Sequence, residues 1–210
     1  MNNDGVVDLL VGSPLANVTT NGAVLKKTGQ IQVISGKDNS ILRTINGSAA
    51  NAQLGTAIAV VPDQNKDGVP DIVVGDPLAD VTTLTPTSFP LLKDAGRVLL
   101  YSGKDGRMLL ILAEGKNSGD HFGAAVAIGD VNGDAKPDLI VGAPRADVSA
   151  KDAGQITVFD GLGKSVLYQR NGEQAGEHFG AAVAVANGHL FVGSPKFDIA
   201  TTVKDAGRVS

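Results

Sequence analysis

Two stretches of this 210-residue chain place oxygen-bearing side chains at a spacing suited to a hard cation. One runs Asp63, Gln64, Asn65, Lys66, Asp67, Gly68, Val69, Pro70, Asp71; the other runs Asp130, Val131, Asn132, Gly133, Asp134, Ala135, Lys136, Pro137, Asp138. Asp or Asn stands at positions 1, 3, 5 and 9 of both. Calcium takes about six to eight oxygen ligands, and a tight loop whose alternate residues point inward can wrap one ion. Position 7 would add a backbone carbonyl, that of Val69 or Lys136. Gly68 permits the sharp turn at position 6, whereas Ala135 takes that place in the second loop and is expected to strain it. Neither loop is an EF-hand, because Val74 and Val141 occupy the place of the acidic twelfth residue.

Two further places refine this reading. Asn2, Asp4, Val6 and Asp8 fall in register with positions 3, 5, 7 and 9, so a third, truncated site opens the chain. In a fourth place the loop is gone, and Val185-Ala186-Asn187-Gly188-His189 makes the connection instead. Asn-Gly is the preferred dipeptide of a two-residue type I′ hairpin. The same hairpin is thus expected to be closed by metal in some copies and by turn geometry in another, which makes the calcium structural.

The elements that must position these loops are legible as a repeat. An apolar run ends at Gly12, Gly75, Gly142 and Gly193, with Pro14, Pro77, Pro144 and Pro195 two residues on. Downstream come TGQIQV from Thr28, AGRVLL from Ala95, AGQITV from Ala153 and AGRVS from Ala206. Upstream lie LGTAIAV from Leu54, FGAAVAI from Phe122 and FGAAVAV from Phe179. Each full unit reads as four short strands in a meander: 55–61, 71–76, 96–102 and 107–113 in one, 123–129, 138–143, 154–160 and 164–170 in the next. Four-stranded units at this period predict an all-β chain of propeller blades. The units span roughly 1–50, 51–118, 119–175 and 176–210, the first and last incomplete. A ring needs about four to eight blades. The expectation is therefore a partial ring of about 3–3.5 blades, belonging to a longer protein.

Composition agrees and excludes other classes. Asp supplies 19 of the 22 acidic residues, and Asp favours turns, caps and oxygen-ligand sites where Glu favours helices. A formal net charge of −4 gives no electrostatic footprint for nucleic acid. The longest purely apolar runs, Met108 to Ala113 and Ala181 to Ala186, are far short of the roughly 20 residues of a membrane helix. With no Cys, disulfides, zinc–thiolate sites and thiol catalysis drop out.

Phe122-Gly123, then Asp-x-Asn-x-Asp-x-x-x-Asp, then Gly142-Ala143-Pro144, then AGQITV resembles the FG-GAP repeat of integrin α-subunit propellers. Phe179-Gly180 with Gly193-Ser194-Pro195 is similar, as is Gly75-Asp76-Pro77, while Leu54-Gly55 stands in for FG in the second unit. The resemblance implies calcium in hairpin loops on one face, with partner-binding loops on the other. It implies no integrin, and the family also includes secreted bacterial proteins and propeller regions of hydrolases.

The long connections 13–28, 76–95, 143–153 and 194–206 are where a protein or glycan ligand is expected to bind, and Phe89 is expected to be exposed there. No catalytic constellation is visible. His121 and His178 precede Phe-Gly in equivalent positions and are expected to serve the blade junction, and His189 follows a hairpin turn. Lys-Asp at 93–94, 151–152 and 204–205 is expected to form a surface turn. The functional expectation is a non-enzymatic, calcium-binding recognition or adhesion module, extracellular, secreted or at the cell surface. The alternative is the propeller region of a secreted hydrolase or lyase whose catalytic residues lie outside this sequence.

Overall fold

Glycine, alanine and β-branched residues dominate the repeat, and a strand of such residues can be approached closely on both faces. The computed structural model describes residues 1–82, 89–163, 165–200 and 202–210, and every regular element among them is a strand. Strands β1 (Leu9–Ser13), β4 (Gln30–Ile34) and β5 (Ile41–Asn46) form the first sheet, with β2 (Val18–Thr20) and β3 (Ala23–Leu25) as a separate hairpin between β1 and β4. The second sheet is β6 (Ala57–Val61), β7 (Asp71–Asp76), β10 (Arg97–Tyr101) and β11 (Met108–Glu114) in that order. A small hairpin of β8 (Val81–Thr82) and β9 (Leu91–Leu92) interrupts it between β7 and β10. The third sheet is β12 (Ala125–Gly129), β13 (Asp138–Ala143), β14 (Gln155–Asp160) and β15 (Ser165–Asn171). The fourth is β16 (Ala182–Ala186), β17 (His189–Ser194) and β18 (Arg208–Val209).

All pairings within these sheets are antiparallel, and the second and third are the expected four-stranded meanders. The architecture is a segment of a β-propeller. Its eight expected strands lie within one or two residues of the observed ones; the first residue of the last, Lys164, falls outside the described residues. The outer pairs β4–β5, β10–β11 and β14–β15 each carry a register shift, the bulge that increases local twist. What the sequence did not predict is the pair of small hairpins, β2–β3 and β8–β9, inside connections read as irregular. Two- and three-residue strands are too short to show a period of two. Residues 83–88 of the longest connection lie outside the described residues, while Phe89 is indeed exposed.

Burial follows position within each sheet. Every residue of β7 and β13 is buried, and every described residue of β15 is exposed. The core is divided among the junctions between sheets. Ile31, Val33, Leu54, Ile72 and Leu99 pack between the first and second, and Val73, Leu100, Phe122, Leu139 and Val141 between the second and third. Ile140, Ile156, Val158, Phe179 and Val192 pack between the third and fourth.

Backbone contact sets the spacing at these junctions. The Gly123 N–H donates to Gly142 O within the third sheet at 3.0 Å. A Cβ on Gly75 of the second sheet would stand 2.0 Å from Gly123 O, and one on Gly142 the same distance from Gly180 O of the fourth. No side chain fits there. The two recurring glycines of the repeat are thus the two sides of one contact between neighbouring sheets.

Candidate functional site

Strands β1, β7 and β13 each begin beside a candidate metal loop and end at a long connection, so the two features lie at opposite ends of these sheets. In the first complete loop, oxygen side chains curl onto the loop's own backbone. Asp63 accepts the N–H groups of Asp67 (3.2 Å) and Gly68 (2.8 Å), Asn65 Oδ1 accepts that of Asp67 (3.0 Å), and Asp67 Oδ1 that of Val69 (3.0 Å). Asp67 Oδ2 also takes bonds from Asn65 Nδ2 (2.8 Å) and Ser102 Oγ (3.1 Å). Desolvation is the largest single influence on the Asp67 carboxyl and raises its pKa. The bonds from Asn65, Val69 and Ser102, with the nearby Lys104 charge, outweigh it and hold the group below its ordinary range.

The second loop repeats the pattern. Asp130 accepts from Gly133 (2.6 Å) and Ala135 (2.8 Å), Asn132 Oδ1 from Asp134 N–H (2.9 Å), and Asp134 Oδ1 from Lys136 N–H (2.9 Å). Lys136 Nζ adds an ion pair to Asp134 Oδ2 at 3.0 Å, and its backbone and side-chain bonds depress the Asp134 pKa. At the start of the chain Asp4 N–H donates to Asn2 Oδ1 (3.2 Å) and Val6 N–H to Asp4 Oδ1 (2.9 Å). Positions 4 and 6 are left-handed in all three places: Asn3 and Gly5, Lys66 and Gly68, Gly133 and Ala135. Ala135, at φ 62°, adopts the conformation that Gly68 adopts at 88°.

Position 9 does different work. Asp71 and Asp138 are fully buried. Asp71 accepts Gln64 N–H (2.8 Å) from its own loop and Gly103 N–H (3.1 Å) from the turn after β10. Asp138 likewise accepts Val131 N–H (3.0 Å) and Gly161 N–H (3.1 Å). Asp8 takes Gly36 N–H at 3.2 Å together with the Met1 amino group. This carboxylate ties the candidate loop to the next turn of the same sheet. The link was not read from sequence, although the repeated Ser-Gly-Lys-Asp at 35–38 and 102–105 carries its signal. A Cβ on Gly103 would stand 1.8 Å from Pro70 O, so only glycine lets that turn approach.

The donors offered by these loops are oxygens alone, the chemistry a hard cation prefers. Among the described residues no three acidic or imidazole groups converge on one point. In the fourth sheet the connection is the expected hairpin: Asn187 (φ 51°) and Gly188 (φ 75°) alone link the Ala186–His189 pair. Two left-handed central residues define a type I′ turn.

At the other end, the repeated Lys-Asp is structural. Asp80, Asp147 and Asp198 accept the N–H of Asp94 (3.0 Å), Asp152 (2.7 Å) and Asp205 (2.9 Å), and Asn17 does the same for Lys27 (2.9 Å). His121 and His178 sit at sheet junctions, each with φ 56°, their N–H groups on Asp94 O and Asp152 O. Burial lowers the pKa of both.

The FG-GAP repeat family profile matches residues 122–159. Phosphatidylinositol-glycan-specific phospholipase D from Bos taurus is 30% identical over 174 residues, covering 76% of this chain and 19% of that protein. The enzyme of the same name from Dictyostelium discoideum is 25% identical over 249 residues, all of this chain and 25% of that protein. Integrin alpha-V from Gallus gallus is 34% identical over 105 residues, 47% of this chain and 10% of that protein. The chain thus spans a quarter or less of the relatives it matches. The phospholipases correct the expectation of a non-enzyme. That expectation rested on the lack of a local catalytic motif, and a repeat shared by phospholipases and integrins does not carry the distinction.

Proposed function

Because this chain is an FG-GAP repeat β-propeller of the integrin α-like kind, we propose that it is a calcium-stabilised recognition module that works outside the cytoplasm. Supporting this reading is one observation above others: the same hairpin is built on an oxygen-rich nine-residue loop in two sheets and on Asn-Gly in a third. Asp63, Asn65, Asp67 and Asp71 with the Val69 carbonyl would hold one ion. Asp130, Asn132, Asp134 and Asp138 with the Lys136 carbonyl would hold a second. Asn2, Asp4, Asp8 and the Val6 carbonyl stand in the same register at a third place. Calcium supplies positive charge that lets several carboxylates share one small loop. The long connections at the opposite end are assigned to a protein or glycan ligand.

An ion bound only by the folded chain stabilises it by RT ln(1 + [L]/Kd), about 2.7 kcal/mol per site at a hundredfold excess over Kd. Melting temperature is expected to rise when calcium replaces chelator, and Asp67→Ala or Asp134→Ala each to remove part of the rise. Identical melts with and without calcium would sink the metal reading.

The match to phosphatidylinositol-glycan-specific phospholipase D along 76% of the chain favours a fuller reading of the same module. In it, the propeller serves a secreted hydrolase of that kind and positions it at its substrate. The test is release of a phosphatidylinositol-glycan-anchored reporter by the full-length protein. Calcium-dependent stability without release would leave recognition alone.

A further inference from the structure

The proline that follows each glycine-closed strand has a different kind of neighbour from unit to unit. Ser13, Asp76, Ala143 and Ser194 precede Pro14, Pro77, Pro144 and Pro195. Asp76-Pro77 is thereby the chain's one Asp-Pro bond. A carboxyl side chain is a nucleophile, and that of Asp reaches its own main-chain carbonyl carbon by closing a five-membered ring. Proline makes the bond beyond that carbon a tertiary amide, whose nitrogen leaves as a basic secondary amine.

The structure sets this pair up for attack. Asp76 and Pro77 are both buried. Arg97 Nε and Nη2 each lie 2.9 Å from Asp76 Oδ2. Among the described residues nothing bonds to Oδ1. With Oδ2 taken by the guanidinium, a proton on this carboxyl belongs on Oδ1. The main-chain oxygen of Asp76 accepts the Ala79 N–H at 3.2 Å, a donor aimed at the charge that attack on the carbonyl would build.

Burial keeps the carboxyl protonated in mild acid. It raises the Asp76 pKa to about 6, against the charge and hydrogen bond of Arg97. Strand β6 carries no titratable group. On β10 Tyr101 senses both Asp76 and Arg97, and on β11 Glu114 stands opposite Arg97. Residues 48–52 of the first sheet face Arg97 across a cavity and are uncharged. Asp80, Lys93 and Asp94 line the same cavity, with Asp80 and Lys93 paired at 2.8 Å.

We propose that Asp76-Pro77 is a self-cleaving bond, opened by the Asp76 side chain in mild acid. Oδ1 bonds to the Asp76 main-chain carbon, the bond from that carbon to Pro77 N breaks, and the Oδ1 proton passes to the nitrogen. This step leaves a cyclic anhydride on Asp76 and a free secondary amine on Pro77. Water, the sole co-reactant, then opens the anhydride and leaves Asp76 with two carboxyl groups. The cut releases one end of the long connection after β7. Pairing of β7 with β10 holds the two pieces together.

Mass spectrometry of the native protein held at pH 5, 6 and 7, denatured just before measurement, tests this. Pieces 1–76 and 77–210 are expected to accumulate fastest at pH 5, with the rate falling through about pH 6. At pH 5 a carboxyl of pKa about 6 is roughly tenfold more protonated than an ordinary aspartyl one. The native chain should therefore be cut at least tenfold faster than the urea-unfolded chain or a capped Val-Gly-Asp-Pro-Leu-Ala peptide at the same pH. Hydroxylamine added at pH 5 should trap the anhydride as a hydroxamate on Asp76. Asp76→Ala places there what the third sheet carries as Ala143, and this variant is expected to remain whole. No cut between residues 76 and 77, an equal rate in the unfolded chain, or cleavage of Asp76→Ala at the native rate would overturn the assignment.

Discussion

The burial of single carboxylates decides much of this protein's chemistry. Asp76 is 2% exposed, and burial raises its pKa to about 6 in spite of the Arg97 charge beside it. Among the described residues its Oδ1 has no partner. Since the charged form is penalised, stability from this group is complete below its unfolded value near 3.8 and is lost as pH climbs through about 6. The unfolding free energy of the native protein relative to Asp76→Asn should therefore fall between pH 4 and pH 7, by on the order of 2–3 kcal/mol. Denaturant titrations at intervals of pH would measure it, and a flat difference would refute it. Ala135 carries a cost of another kind, a left-handed backbone on a residue with a Cβ. Ala135→Gly should raise stability by about 0.5–1 kcal/mol, because strain relief exceeds the entropy glycine adds to the unfolded chain. An unchanged or lower denaturation midpoint would count against that account.

Among the elements, the hairpin between the first two strands of each sheet is the interchangeable part. Replacing residues 130–137 by Asn-Gly should leave β12 and β13 in register, as Asn187-Gly188 leaves β16 and β17. The variant should lose the share of calcium-dependent melting that Asp134→Ala also loses. A variant that no longer folds would show that the loop does more than connect. These hairpins were legible in sequence because turn chemistry is local: Asn-Gly predicts φ values at two residues and needs no partner. The strands were legible because glycine ends each run at the same place. The bond from Asp71 to Gly103 was not, since it joins residues 32 apart and shows only as two glycine-bearing motifs that repeat together. Lys-Asp could be read as a turn, yet its partner Asp80, Asp147 or Asp198 lies five to fourteen residues upstream and had to be seen.

Across the whole molecule, sheets meet through main chain as much as through side chains. Gly75→Ala would force a Cβ into Gly123 O, which belongs to backbone and cannot rotate aside. A loss of about 2–3 kcal/mol is expected, the upper range for overpacking. Hydrogen exchange should quicken on both flanking sheets together; exchange confined to β7 would contradict a shared junction. The same contact bears on how such a chain can change over time. Where side chains interlock, a unit fits only the neighbour it was fitted to. Here the separation of adjacent units is gauged by a glycine facing a carbonyl, features every unit carries. A unit can therefore be duplicated, lost or exchanged without its neighbours being rebuilt, and the loops at its two ends are left free to diverge.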